Sequence, residues 1–212
     1  MRKEQSLIFI VDDNAAFSKS LSRLLLSMGF VVEAFRSAED FLLRKPYKGP
    51  CCLLLDVCMP GLTGPDLQKK LAERNIPIQI IFLTAHGDVS TGVSAMKKGA
   101  EDFLLKSVEE DQLLEAIEKA LNKDVEFKKQ LAEQKSIKDI ISSLSLREHE
   151  VLRWIITGLL NKQIAYEMDI TERTVKFHRR HIMQKLKVNS VAELILFAQK
   201  AGISPLQEGS KA

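Results

Sequence analysis

The polarity pattern of the first half of the chain switches between two periods. Short apolar runs rich in Ile, Val, Leu or Phe fall at Leu7–Val11, Val31–Phe35, Cys51–Asp56, Gln79–Thr84 and Asp102–Leu105. Their length and continuity predict parallel strands covered on both faces. Helical spacing takes over between them. Phe17, Leu21, Leu24, Leu25 and Met28 predict one helix, closed by Gly29. Ala38, Phe41 and Leu42 predict a second, Leu67 and Leu71 a third. Val89, Val93 and Met96 predict a fourth, closed by Gly99, and Leu113, Leu114, Ile117 and Leu121 a fifth. Strand-then-helix units in series imply an α/β fold, with one five-stranded parallel sheet between two helical layers.

The pattern then changes. Residues 122–138 are rich in Lys, Glu and Gln with sparse apolar positions, which predicts an exposed helical linker running on from the fifth helix. Ile137, Ile140, Ile141 and Leu144 follow as an apolar stripe. Beyond Leu144 only helices are predicted, so the second half is all-α with four helices. Ser145 and Glu148 form a capping box opening the first, and Asn161 and Thr171 are candidate caps of the next two. Ser190 and Glu193 form a capping box for the last. The tail after Pro205 is expected to fray.

Composition narrows the function classes. The chain has 212 residues, 45% hydrophobic and 28% charged, which suits two globular domains. No apolar run reaches membrane-spanning length, and no secretion signal precedes the first strand, so no membrane partner is expected. Cys51, Cys52 and Cys58 cluster in one segment, as reduced, buried thiols of a cytoplasmic protein would. Cys51 and Cys52 should face opposite sides of their strand. The net charge of +3 divides into −2 over residues 1–124 and +5 over residues 125–212. The basic half is the candidate for nucleic acid.

Carboxylates mark the first candidate chemistry. Asp12 and Asp13 follow the first strand and Asp56 ends the third. In an open α/β sheet the strand carboxyl ends surround the ligand crevice. With a flavodoxin-like strand order, strands one and three are neighbours and the carboxylates converge. Their mutual repulsion is relieved by a hard divalent cation such as Mg²⁺. Thr84 and Lys106 end strands four and five, and a hydroxyl and an ammonium beside a metal-bound carboxylate suit phosphoryl transfer to that carboxylate.

Four segments now reach a known family. They are FIVDDN (9–14), LLLDVCMPGLTG (53–64), FLTAHG (82–87) and KKGAEDFLLK (97–106). In this order and spacing they resemble the receiver domain of bacterial two-component response regulators, over roughly residues 5–122. The resemblance implies that Asp56 accepts phosphate from a sensor histidine kinase. It implies Mg²⁺ bound by Asp13, Asp56 and the Cys58 carbonyl, with Asp12 acting through water. Thr84 and Lys106 would sense the phosphoryl group, and Phe103 would move inward as Thr84 shifts. Cys58 and His86 stand where the family tunes dephosphorylation. Ser107 stands where the family usually has a cis proline, so a trans bond is expected here.

The second candidate chemistry is a basic helix. Residues 171–187 hold six Lys or Arg against one acid. Val175, Ile182 and Leu186 share one face, while Arg173, Lys176, Phe177 and Arg180 share the other. Such a face suits a helix in the DNA major groove, with Lys and Arg on guanine edges and Phe177 against a thymine methyl. Lys162, Thr171, Thr174, Arg179 and Lys185 are better placed for phosphates. The segments LSLREHEVL (144–152), GLLNKQIA (158–165), ITERTVKFHR (170–179) and IMQKL (182–186) resemble the LuxR-type helix-turn-helix, over roughly residues 142–203. A receiver joined to this module is the NarL/FixJ architecture. Val191, Leu194, Ile195 and Ala198 resemble the helix that dimerises such domains, or else they close the small core.

The expected layout is a receiver over residues 1–122, a linker over 123–143 and a DNA-binding domain over 144–205. The expected function is regulation of transcription, not enzymatic turnover. Phosphorylation at Asp56 would drive homodimerisation and binding to double-stranded DNA, with RNA polymerase a further candidate partner. One rival is a DNA-binding regulator with a phosphorylation-independent pseudo-receiver. The other is a flavodoxin-like or nucleotide-binding enzyme, against which stands the lack of a Gly-rich phosphate loop after the first strand.

Overall fold

The computed structural model describes residues 6–85 and 89–206. His86 and the tail beyond Leu206 therefore lie outside the described residues. The chain forms two compact units that divide between Lys128 and Lys129.

In the first unit, strands β1 (Leu7–Val11), β2 (Val31–Phe35), β3 (Cys51–Asp56), β4 (Gln79–Thr84) and β5 (Asp102–Leu105) alternate with helices. These are α1 (Ala15–Ser27), α2 (Ala38–Leu42), α3 (Gly64–Glu73), α4 (Val89–Lys97) and α5 (Glu110–Ser142). All strands pair in parallel in the order β2-β1-β3-β4-β5. Period-two alternation sends Phe9, Leu53, Leu55 and Phe82 to the core under α2 and α3. It sends Ile8, Ile10, Leu54, Ile81 and Leu83 to the core under α1 and α5. Cys51 and Cys52 divide between the two faces, and the described thiols are all free.

Two expectations change here. β2 is an edge strand, so Val31, Glu33 and Ala34 are exposed and the strand is not covered on both faces. Cys58 is exposed and not buried, because it lies in the loop after β3. The apolar stripe of α4 points outward. Gly92 and Ala95 are its buried residues, while Val89, Val93 and Met96 are exposed.

The second unit contains α6 (Leu146–Ile155), α7 (Asn161–Glu167), α8 (Glu172–Leu186) and α9 (Val191–Lys200), packed around Val151, Leu152, Trp154, Ile164, Val175, Ile182 and Leu194. The capping box of α6 is complete, with Ser145 and Glu148 each accepting the other's backbone N–H. Asn161 does not cap α7. Leu160 occupies the cap position and its N–H donates to Gln163 Oε1 at 2.8 Å, while Asn161 lies inside the helix. At α9 only half of the expected box forms, since Glu193 reaches Asn189 N and not Ser190 N. Leu194 and Ala198 are fully buried, so those two close the core.

The exposed linker begins later than its composition implies. Asp124 is 0% exposed, and its Oδ2 accepts from Cys51 N at 2.9 Å and Lys128 Nζ at 2.7 Å. Lys128 also donates to the Gly49 carbonyl at 2.6 Å. Residues 124–128 are thus tied to the first unit by a buried polar cluster at the start of β3.

Candidate functional site

The strand order decides the first site. β1 and β3 are neighbours with Val11 opposite Leu55, so each chain's next residue brings Asp12 alongside Asp56. Oxygens of Asp12, Asp13 and Asp56 all lie within 4.8 Å of one another. Asp12 and Asp56 are buried and Asp13 is exposed. A hard-oxygen donor set of this spacing, open on one side, fits Mg²⁺.

Lys106 closes the site from β5. Its N–H donates to the Thr84 carbonyl at 2.8 Å. Its ammonium reaches Asp12 at 2.7 Å and Asp56 at 2.9 Å. No cis bond occurs among the described residues, so the Lys106–Ser107 bond is trans, and Lys106 reaches the acceptor nonetheless. Burial tends to lower the Lys106 pKa, but hydrogen bonds to Asp12 and Asp56 outweigh it and leave it raised. Lys106 therefore stays cationic. Burial pushes the Asp12 carboxyl up, against Lys106 and the Asn14 N–H that favour its charge.

Thr84 is buried beside this cleft. Phe103 is half-buried, with its ring 6.0 Å from that of Phe82 and packed under Gly92. A β-carbon at Gly92 would sit 3.2 Å from the Phe103 ring. Cys58 donates its N–H to Asp56 Oδ1 at 3.3 Å.

Two contributors carry no charge and escape a search for chemistry-bearing side chains. Asn14 caps α1 with its side chain, and its own N–H holds Asp12 Oδ1 at 2.9 Å. Gly64 opens α3 where a β-carbon would run into the Asp56 carbonyl oxygen. An Asn before an amphipathic run and a Thr63-Gly64-Pro65 helix start are the sequence signals for them.

The second site is on α7 and α8. The turn between them passes through Asp169, whose φ of 51° lets the chain reverse, and Thr171 caps α8. Arg173, Lys176, Phe177, Arg180 and Lys162 are exposed. Lys176 pairs with Glu172 at 2.8 Å, and the Phe177 ring packs at a tilt against His181 with centroids 4.2 Å apart. Other residues expected at phosphates are engaged within the unit. Thr171 and Thr174 hydroxyls bond each other at 2.8 Å. Arg179 donates to Asn161 Oδ1 at 2.9 Å. Lys185 reaches Glu148 at 2.6 Å and the Ser143 carbonyl at 3.2 Å, fastening α8 to the start of α6.

Burial of Glu148 favours its neutral form, but Lys185 and Ser145 overcome this and bring its pKa down to about 2 from the ordinary 4.5. A depressed carboxyl stabilises the fold fully above its unfolded pKa and loses that contribution as pH falls through the folded one. The second unit should therefore lose about 2–3 kcal/mol between roughly pH 4.5 and 2. Urea titrations followed by Trp154, the sole tryptophan, would report it. The Glu148→Gln variant should start less stable at pH 7 and lack this acid-dependent loss. A parallel pH dependence in both proteins would refute the assignment.

Comparison with known proteins agrees with both halves. Residues 8–118 match the response regulator receiver domain, and residues 142–198 match the luxR family of bacterial regulatory proteins. The chain is 44% identical over 200 residues to the response regulator protein TmoT of Ectopseudomonas mendocina, covering 94% of this chain and 91% of that protein. It is 42% identical to the transcriptional regulatory protein FixJ of Bradyrhizobium diazoefficiens, covering 92% and 96%. Among solved structures, the response regulator StyR superposes with a TM-score of 0.87 at 44% identity, covering 92% of this chain and 99% of that one. No described helix is long and apolar enough to cross a membrane. The carboxylate cleft of a parallel sheet and the basic helix-turn-helix thus occur together in one chain, which belongs to the two-component response regulators of the NarL/FixJ family, with a receiver domain and a LuxR-type DNA-binding domain.

Proposed function

We propose that this protein is switched by phosphorylation of Asp56 and regulates transcription by binding double-stranded DNA as a homodimer. The observation that carries this reading is the convergence of Lys106 Nζ, 2.9 Å from Asp56, with the three-carboxylate cluster. Asp56 Oδ attacks the phosphorus of a phosphohistidine on the sensor kinase. The N–P bond breaks, and the imidazole nitrogen keeps the electron pair and takes up a proton. Asp13, Asp56 and the Cys58 carbonyl would hold Mg²⁺, with Asp12 acting through water. Bound there, the ion offsets charge on the phosphoryl oxygens. Lys106 neutralises a further oxygen, and the Thr84 hydroxyl donates to another.

Thr84 moving toward the phosphoryl group frees space for the Phe103 ring, which lies under α4. The outward face of α4, with Val89, Val93 and Met96 exposed, then pairs with its copy. Pairing sets two helix-turn-helix units on adjacent half-sites. Arg173, Lys176, Phe177 and Arg180 read bases, while Lys162, Thr171 and Thr174 approach phosphates. Arg179 and Lys185 brace α8 from behind. The working site is the cytoplasm, where kinase, DNA and RNA polymerase meet.

The direct test is mass measurement after incubation with acetyl phosphate and Mg²⁺. A gain of one phosphoryl group, with a monomer-to-dimer shift in sedimentation, is expected. No gain would leave a DNA-binding regulator whose receiver takes no phosphate.

A further inference from the structure

We propose that Phe17 is a positioning residue for Lys106, holding the ammonium over the acidic cleft by a cation–π contact. The inference rests on the reading that Lys106 serves phosphoryl transfer to Asp56. Lys106 Nζ lies 4.8 Å from the centroid of the Phe17 ring. That is inside the range of about 6 Å over which a ring face attracts a cation. The same ammonium bonds Asp12 and Asp56, and its side chain is only 16% exposed, so bulk water does little to screen the attraction.

The ring is placed by the acidic loop itself. Asn14 Oδ1 accepts the Phe17 N–H at 3.1 Å, and the Asn14 N–H donates to Asp12 Oδ1 at 2.9 Å. Asp12 in turn pairs with Lys106, so Asp12, Asn14, Phe17 and Lys106 close a loop of contacts. One helix cap therefore orients both a carboxylate and the aromatic ring.

Lys106 has a competing position away from the acidic cleft. Lys106 itself lines a pocket of about 370 Å³ that Phe17, Leu21, Leu24 and Leu83 wall on one side and that also takes in Ser20 and Glu110. A lysine has a long stem with many rotamers, and the Glu110 carboxylate in that pocket competes for its ammonium. The ring face gives the ammonium a favourable contact on the cleft side. It can exchange Asp12 for an incoming phosphoryl oxygen without losing the aromatic partner. Phe17 thereby keeps the cation where charge develops.

The test uses the full chain with Phe17→Leu, Phe17→Tyr and ring-fluorinated phenylalanines at position 17. One readout is the rate of phosphorylation by acetyl phosphate with Mg²⁺, followed by mass. The other is the NMR shift of the Lys106 ε-methylene protons, moved upfield by the ring in the wild type. Leu keeps apolar packing but lacks a π face, so it should slow phosphorylation about fivefold and release the upfield shift. Tyr should restore both, and added fluorines should reduce the rate stepwise. A Leu variant with unchanged rate and unchanged Lys106 signals overturns the proposal. So does a trifluorinated ring that works as well as phenylalanine, which would reduce Phe17 to packing. Failure of the wild type to gain mass would sink the phosphoacceptor reading instead, and the Lys106 signals would then decide the contact alone.

Discussion

Asp56→Asn is expected to abolish the phosphoryl mass gain and to leave the fold intact. The amide has nearly the shape of the carboxylate but is not a nucleophile toward phosphorus. Lys106 keeps its 2.7 Å pair with Asp12, so the cleft stays closed. The consequence should reach the other unit. Coupling between two sites is typically about 1–3 kcal/mol, roughly a 5–150-fold change in affinity. Wild-type protein treated with acetyl phosphate should therefore bind a selected DNA site at least about fivefold more tightly than untreated protein. Asp56→Asn should show one affinity with or without the phosphodonor. Fluorescence anisotropy at fixed salt measures this directly. A variant that still responds would mean that Asp12 or Asp13 accepts the group, or that the phosphodonor acts elsewhere.

Asp124→Ala should be the most destabilising single change in the receiver outside its apolar core. The substitution removes the acceptor of the Cys51 N–H and the counter-charge of Lys128, whose side chain is only 25% exposed. Breaking one side of a buried pair costs about 3–5 kcal/mol, a large part of the 5–15 kcal/mol that a domain has. The receiver should melt about 10 °C lower or more. Circular dichroism follows the sheet, while Trp154 fluorescence reports the second unit and should change little. The double variant Asp124→Leu with Lys128→Met should recover much of the loss, because both buried charges then go together. A loss below about 1 kcal/mol would place the pair with ordinary solvated surface bridges.

Much of this molecule is legible along the chain because its signals are local. Strand runs, helix spacing and the Ser145 and Thr171 caps depend on residues a few positions apart, and the described elements follow them. Asp12, Asp56, Thr84 and Lys106 are legible as strand-end residues for the same reason. Errors cluster where an outcome depends on distant partners. The α4 stripe announces a helix but not its facing, because the sheet presents Phe103 to Gly92 and turns Val93 outward. Asp124 and Lys128 read as solvated linker charges, since their partners Cys51 and Gly49 lie more than seventy residues away. The contacts of Arg179 with Asn161 and of Lys185 with Glu148 likewise join residues too far apart in sequence for spacing to announce them.

The residues alone establish that the chain is a receiver followed by a LuxR-type module, because periodicity and motif order survive without coordinates. They also name Asp56 as the acceptor to test. Convergence of the carboxylates is a different matter. It needs β1 to lie beside β3, a pairing between segments about forty positions apart that is stabilised by burial on both faces of the sheet. The same packing sets Lys106 against Asp56 and Phe17, and draws Asp124 under Cys51. Local pattern specifies which elements form, whereas long-range burial selects which polar groups meet and therefore where a charge can act.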